Sequence, residues 1–350
     1  MNPIRGKDRP RRSLLYIPGN NPGMLQNCSI YGSDGVLLDL EDSISISEKD
    51  SARKLVRHAL MALDFGSVER IVRINGRDTP YFEADLAEII PAVPDAIRLP
   101  KVDSAEDVIE ADRIITRIEA EHGIAPGSVG IQAMLETARA IVNVNSIAAA
   151  STRLVGLTLG GQDLAADLGI KATKDGLELL FAKSAVVIAA KAFGLQAFDT
   201  VFTDVADLEG LAEAAALSVS LGFTGKAAIH PSQISVIHAA FAPSEKEVGK
   251  AIKIVTAARE AGKRGLAVAE IERLIAERRD ARAAKAHIVQ WLPAQATVPC
   301  MILTQEGDIV GACEPAVRSE LGNVIQFERV GFVKIDAVGD EGIVAYYTHK

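Results

Sequence analysis

Eight short apolar runs, each followed by a helix-like segment, constrain this chain more than any other feature. They are SLLYIPG from Ser13, GVLLDLED from Gly35, RIVRING from Arg70 and AIRLPKV from Ala96, then GIQAMLET from Gly130, GLTLGGQD from Gly156, AFDTVFTD from Ala197 and GKAAIHP from Gly225. Their continuous apolar, β-branched character suits strands buried on both faces, as in a parallel sheet. Helix signals separate them. Ser47 and Asp50 have the spacing of a capping box, Ser104 is a candidate N-cap, and Gly123 is a candidate C′ residue. LAEAAALSVSLG, ending at Gly222, plays the same part before the eighth run. Eight such units within roughly 220 residues predict an α/β fold, a (β/α)8 TIM barrel. The alternative is an open doubly wound sheet.

Polar residues at the ends of the runs separate the two. Asp39, Glu41, Arg73, Lys101, Glu136, Asp163, Asp204 and His230 all fall at or just past a C-terminal strand end. In a barrel these ends converge on one mouth; in an open sheet they spread along an edge. The repetition favours the barrel, spanning 1–242. Two charged amphipathic segments follow as a helical extension, 243–288. Residues 289–350 predict a small all-β domain, β-barrel-like or a sandwich. Within it, IQFERVGFVKID has the alternation of one half-buried antiparallel strand, with its glycine as a bulge.

Glu136 and Asp163 close the fifth and sixth runs, neighbours in a barrel. Two carboxylates suffice for a hard cation such as Mg2+ when substrate oxygens and water complete its octahedron. Each could instead cap the helix that follows it. Arg73 offers the planar fork that grips a carboxylate, or it pairs with an acid such as Glu41. Glu41 reads equally as a group behind the metal, holding its water or Lys101, or as a purely structural acid, and Asp42 as a helix cap. His230 reads as a strand-end residue bonding its own backbone. IPGNNPG, Ile17 to Gly23, is a turn that could also bring backbone amides to a phosphate. Met61 and Met134 read as core filling.

Composition excludes some classes. The 350 residues carry a net charge of −8, no electrostatic case for nucleic acid or an anionic membrane. Three cysteines, Cys28, Cys300 and Cys313, show neither metal-ligand nor disulfide spacing, which predicts a reduced, cytoplasmic protein. The basic start, MNPIRGKDRPRR, lacks the apolar stretch of a signal peptide, and no apolar run approaches a membrane span.

Taken together, RSLLYIPGNNPGML, DGVLLDLEDSI, VRING, LPKV, the LET at Glu136–Thr137, LTLGGQDLAADLG and GFTGKAAIHPSQI resemble the citrate lyase β-subunit (citryl-CoA lyase) family. The resemblance runs in order from about residue 11 to about residue 245. It implies a TIM barrel that uses Mg2+ to cleave a 3-hydroxyacyl-CoA, such as citryl-CoA, into an oxo-acid (oxaloacetate) and acetyl-CoA. Malyl-CoA or citramalyl-CoA cleavage, or a thioesterase or malate-synthase-like activity, would use the same pocket. Carried over by position, Glu136 and Asp163 become metal ligands, and Glu136 and Arg73 bind substrate. Arg73 and Glu41 become the groups acting on the reaction, and Arg12, Asn20 and Lys101 candidate contacts to coenzyme A. A homotrimer or homohexamer, and association with other citrate lyase subunits, are implied as well.

Two departures stand out. Gln162 occupies the place where the pattern GxEDLAADLG carries Glu. The family's Gly-x-Met-Val-Asp-x-Pro segment after the barrel, which supplies an aspartate across a subunit interface, is replaced by GLAVAEIERLIAERRDARAAKAHIV. The tail, with VQWLP, VPCMIL, GDIVGACEP and VIQFERVGFVKID, resembles the C-terminal β-barrel of archaeal-type glutamyl-tRNA synthetases. Residues 291–350 hold 4 Lys/Arg and 8 Asp/Glu, a poor balance for phosphate contacts. An RNA-associated or scaffold protein with a non-catalytic barrel is the alternative of another class.

Overall fold

A computed structural model describes residues 9–171, 173, 176–264, and five further strand segments between 298 and 349. Eight parallel strands close into a barrel in sequence order. They are β1 (Ser13–Pro18), β2 (Gly35–Asp39), β3 (Glu69–Arg73), β4 (Ala96–Leu99), β5 (Gly130–Leu135), β6 (Leu154–Leu159), β7 (Gln196–Asp199) and β8 (Gly225–Ala228). Pairing of Leu14 with Ala227 seals the cylinder. The eight expected runs therefore each contain one strand, and the open sheet is excluded.

The helices are α1 (Pro22–Asn27), α2 (Lys49–Ala62), α3 (Phe82–Ile89), α4 (Ala105–Glu121), α5 (Ala138–Val142), α6 (Val144–Ala148), α7 (Gly161–Asp167), α8 (Leu180–Ala192), α9 (Leu208–Leu221), α10 (Ser232–Phe241) and α11 (Glu245–Arg264). Helix α4 carries the expected Ser104 cap, with Asp107 accepting from the Ser104 amide at 2.8 Å. It ends at Gly123, whose φ of 67° is the left-handed turn that glycine adopts without strain. Helix α2 departs from expectation. Its first turn is preceded by a 3-10 turn at Ile46–Glu48, so Ser47 and Asp50 form no capping box, and Ser45 bonds Glu48 instead.

Apolar strand faces meet two cores. Leu14, Leu37, Ile71, Ala96, Val155 and Phe198 fill the barrel interior, while the outward strand faces pack against the helices. Met134 is buried as expected; Met61, 64% exposed on α2, is not core filling.

The N-terminal end of the barrel is closed by clamps between arginines and acids. Arg11 meets Glu69 at 2.6 Å, Arg12 meets Asp34 at 2.8 Å, and Arg70 meets Asp95 at 3.2 Å. Arg153, just before β6, grips Glu119 of α4 through both terminal nitrogens and Asp112 through Nε. Glu119 is fully buried. Removing one partner of such a pair strands the other charge, which costs about 3–5 kcal/mol. Arg153→Met should therefore lower unfolding stability by about that amount. Adding Glu119→Gln should recover part of it, as measured by denaturant titration of the full chain.

The chain divides into two compact units, Met1–Pro243 and Ser244–Lys350. The second contains α11 and a five-stranded sheet, ordered β10-β9-β13-β12-β11. Its strands are β9 (Val298–Leu303), β10 (Ile309–Cys313), β11 (Val324–Phe327), β12 (Gly331–Gly339) and β13 (Gly342–His349). The expected single strand through IQFERVGFVKID is instead an antiparallel pair, with Phe327 opposite Gly331. The glycine opens a new strand; the irregular register lies between β12 and β13. The second expected helix of the extension, and the stretch that replaces the interfacial aspartate segment, lie outside the described residues.

Candidate metal and oxo-acid site

The mouth is assembled from loops just beyond β2, β3, β4, β5 and β6. Asp39, the last residue of β2, is almost wholly buried. It accepts from Arg73 Nε at 2.6 Å and Arg73 Nη2 at 2.7 Å, and from the amides of Glu41 and Ser43. Burial disfavours the Asp39 charge, but these donors hold its carboxyl below the usual range. Burial likewise opposes the Arg73 charge, and Asp39 together with Tyr16 and Glu41 outweighs it, so Arg73 stays a cation. The principal partner of Arg73 is thus Asp39, which sequence reasoning had placed at a strand end without a role. The run of three acids in DLED was the available signal.

Only Nη1 of Arg73 faces elsewhere. It lies 2.9 Å from Glu41 Oε2, an ion pair without hydrogen-bond alignment, and 3.0 Å from Asp42 Oδ2. Asp42 caps no helix; it is 62% exposed and serves Arg73. An exposed carboxylate on one guanidinium edge is readily exchanged for the carboxylate of a ligand. Beneath this cluster Lys49 donates to the carbonyls of Leu40 and Glu41. Asn75 ties Leu40 to the buried Asp85. That is the work of the asparagine in RIVRING.

Glu136 follows β5 and is 2% exposed. Its Oε1 accepts the Lys101 amide at 2.6 Å. Lys101 holds a φ of 51° to deliver that bond, a conformation that costs a non-glycine residue energy and persists where its surroundings impose it. Gly160 is the second accommodation. A Cβ there would lie 2.7 Å from Glu136 Cβ and 2.8 Å from its Oε2. Asp163 sits on the first turn of α7, whose cap is Gly160, so it neither ends the strand nor caps the helix.

Burial pushes the Glu136 carboxyl up to about 7, the Lys101 amide opposes the shift, and Asp163 adds to it. Glu41 rises to about 8, again chiefly by burial, with Asp42, Glu136 and Asp39 adding to it against Arg73. Acids brought together with too little compensating charge are the complement of a divalent cation. Among the described residues no cluster of three or more His, Cys, Asp or Glu has metal-site geometry. The pair Glu136 and Asp163 suits a hard cation that keeps substrate and water in its shell.

Glu136 and Asp163 line a cleft of about 600 Å3, with Arg77, Lys101, Thr137 and Arg139 among its walls. The Lys101 ammonium is half exposed and 3.8 Å from Glu41 Oε1. Asn20 lies in the loop after β1 and donates to Glu48 at 3.1 Å. That loop has a structural reason for its glycine: a Cβ on Gly19 would lie 2.5 Å from the Asp39 carbonyl. Arg12 requires correction. It precedes β1 at the opposite end of the barrel, where Asp34 occupies its fork, so it does not face the mouth. Asp204 and His230 turn into local bonds, Asp204 to the amides of Ala206 and Asp207, and His230 to Ser232. Neither joins the cluster.

Comparison with known proteins agrees with this geometry. Residues 12–231 match the family model of HpcH/HpaI aldolase/citrate lyase. The chain is 42% identical over 261 residues to the citrate lyase subunit beta of Leuconostoc mesenteroides, covering 75% of this chain and 86% of that protein. It is 37% identical over 268 residues to a (3S)-malyl-CoA thioesterase of Cereibacter sphaeroides, covering 77% and 90%. Among solved structures, the citrate lyase beta subunit of Mycobacterium tuberculosis complexed with oxaloacetate and magnesium is 33% identical, with a TM-score of 0.58, covering 69% of this chain and 100% of that one. Residues 288–336 match the anti-codon binding domain of class I tRNA synthetases (E and Q). Among the described residues no helix is long and apolar enough to cross a membrane. A closed eight-stranded barrel with this mouth, matched over 12–231 and by relatives of 42% identity, places the chain in the HpcH/HpaI aldolase/citrate lyase family.

Proposed function

We propose that this protein is a Mg2+-dependent carbon–carbon lyase acting on a 3-hydroxyacyl-CoA, with citryl-CoA as the leading substrate and oxaloacetate and acetyl-CoA as products. The observation that carries this reading is the Glu136–Asp163 pair, crowded at the barrel mouth beside Arg73. Relatives named citrate lyase subunit beta, and a related structure complexed with oxaloacetate and magnesium, support it.

Glu136 and Asp163 would hold the cation, which when bound polarises the oxygen that becomes the oxo-acid carbonyl. Glu136 is preset for this by the Lys101 amide. Arg73, fixed by Asp39, presents Nη1 to a substrate carboxylate in place of Asp42 and favours negative charge developing nearby. Glu41, beside that edge, is the group that takes and returns a proton. As the substrate hydroxyl gives up its proton, the carbon–carbon pair passes to the acetyl carbon, which is then protonated. Lys101 and Asn20 are rim contacts for the coenzyme A portion.

A homotrimer or homohexamer, other citrate lyase subunits as partners and a cytoplasmic location belong to the same reading. The relative named malyl-CoA thioesterase makes hydrolysis of the thioester the second one. A panel of citryl-, malyl- and citramalyl-CoA, scored for oxo-acid and free thiol with and without Mg2+, tests both. Oxo-acid release that needs Mg2+ is the expected result; no turnover of any thioester would sink the proposal. Binding of tRNA with a steep salt dependence would instead favour an RNA-associated role for residues 288–336.

A further inference from the structure

Arg73 and Arg98 are paired register neighbours on β3 and β4. Arg73 is met by three carboxylates. Arg98 is fully buried, and among the described residues no hydrogen bond or ion pair links it to a carboxylate. Its Nε and Nη2 donate to Gln132 Oε1 at 3.2 and 2.6 Å, and its Nη1 donates to the Tyr16 hydroxyl oxygen at 3.2 Å. Two cations at adjacent positions repel, and a buried cation served by neutral groups is costly. Tyr16 stands against both. The Arg73 guanidinium carbon lies 5.0 Å from its ring centroid, and Arg98 reaches its hydroxyl end.

We propose that Tyr16 is a positioning residue for Arg73, its ring face supporting the guanidinium from the barrel side, while its oxygen accepts from Arg98. The carboxylates of Asp39, Glu41 and Asp42 fix Arg73 from the other sides. With Nε and Nη2 held by Asp39 and the ring of Tyr16 against the guanidinium face, the Nη1 edge is where Arg73 can exchange the exposed Asp42 for a new anion. Phe198 closes the arrangement below, 5.9 Å from the Arg98 guanidinium carbon. The two functions of Tyr16 separate by substitution. Tyr16→Phe keeps the ring face and loses the oxygen. Tyr16→Leu loses both, with Tyr16→Met as its replacement if leucine leaves the chain unfolded.

The expectation for substrate rests on the proposed lyase reading; the expectation for Arg73 itself does not. Two measurements keep them apart. In the full chain labelled with 15N-arginine, the Arg73 Nε–H resonance, assigned by its loss in Arg73→Lys, should be sharp in wild type and in Tyr16→Phe. It should be shifted or broadened in Tyr16→Leu. Calorimetric titration of oxaloacetate with Mg2+ should show affinity reduced about tenfold to thirtyfold in Tyr16→Leu and less than about threefold in Tyr16→Phe, the range of losing a desolvated cation–π support. An Arg73 resonance unchanged in the leucine (or methionine) variant overturns the proposal, whatever happens to binding. If the resonance moves but wild type binds no oxo-acid, the positioning of Arg73 stands and the lyase reading falls.

Discussion

Replacing Glu136 by glutamine should abolish Mg2+ binding and lower turnover by at least about 10³-fold, the scale of losing an electrostatic centre that acts in the transition state. The same substitution should leave the barrel as stable as wild type, or more so. Glutamine keeps an oxygen for the Lys101 amide and fits beside Gly160, where no Cβ competes. It also removes a carboxylate that burial holds near a pKa of about 7. At pH 8 without metal, that carboxylate must ionise in a site that disfavours it. Its removal should therefore raise stability by about 1–3 kcal/mol, since one pKa unit corresponds to about 1.4 kcal/mol. The two effects have opposite signs. A residue that merely packed the mouth would lose stability and activity together, so calorimetric Mg2+ titration and denaturant unfolding on one variant separate the accounts. A Glu136→Gln protein that still binds Mg2+ as wild type does would remove this residue from the site.

The barrel was legible in the sequence because the strand runs are mostly apolar and all but the first end at or just before a polar residue, a pattern that survives without knowledge of contacts. The helix limits read well where capping chemistry is local, as at Ser104 and Gly123. They read badly at Ser47, where the chain spends a 3-10 turn before α2 and Asp50 turns to Arg53. Glu136 and Arg73 were found because strand-end positions converge. Asp39 was not, because which of the three acids in Asp39–Asp42 takes the arginine depends on the side-chain direction at the end of β2. Arg12 was misplaced by the opposite error: a basic residue next to a strand reads the same at either end until the closed barrel assigns it to the bottom. Lys101 shows the limit most clearly. Its contribution to Glu136 comes from a backbone amide in a left-handed conformation, and no side-chain pattern encodes that.

Mg2+ affinity should rise with pH up to about 7 and then level off. The sign follows from Glu136: burial, and then the charge of Asp163, keep its carboxyl protonated up to about 7 in the metal-free protein. A cation that needs the carboxylate must displace that proton. Below pH 7 each unit of pH should therefore change the apparent affinity by up to tenfold, and calorimetry in buffers of different ionisation enthalpy should detect close to one proton released at pH 6. Metal-free stability should run the other way. A carboxyl whose folded pKa is raised contributes stability that is complete below its ordinary value near 4.5 and is lost as pH rises through the folded value. The loss is complete near 7 for Glu136 and near 8 for Glu41, so the metal-free barrel should melt progressively lower between about pH 5 and about pH 8. Saturating Mg2+ should reverse most of the decline, because a ligand that binds only the folded state stabilises it and this one binds best where the empty site is least stable. Glu41→Gln should make the decline shallower throughout and end it near pH 7, and leave the Mg2+ profile below pH 7 in place. A melting temperature that does not fall across this window in the absence of metal would mean that the crowded acids are not strained, and with that the physical case for a cation at Glu136 and Asp163 would be lost.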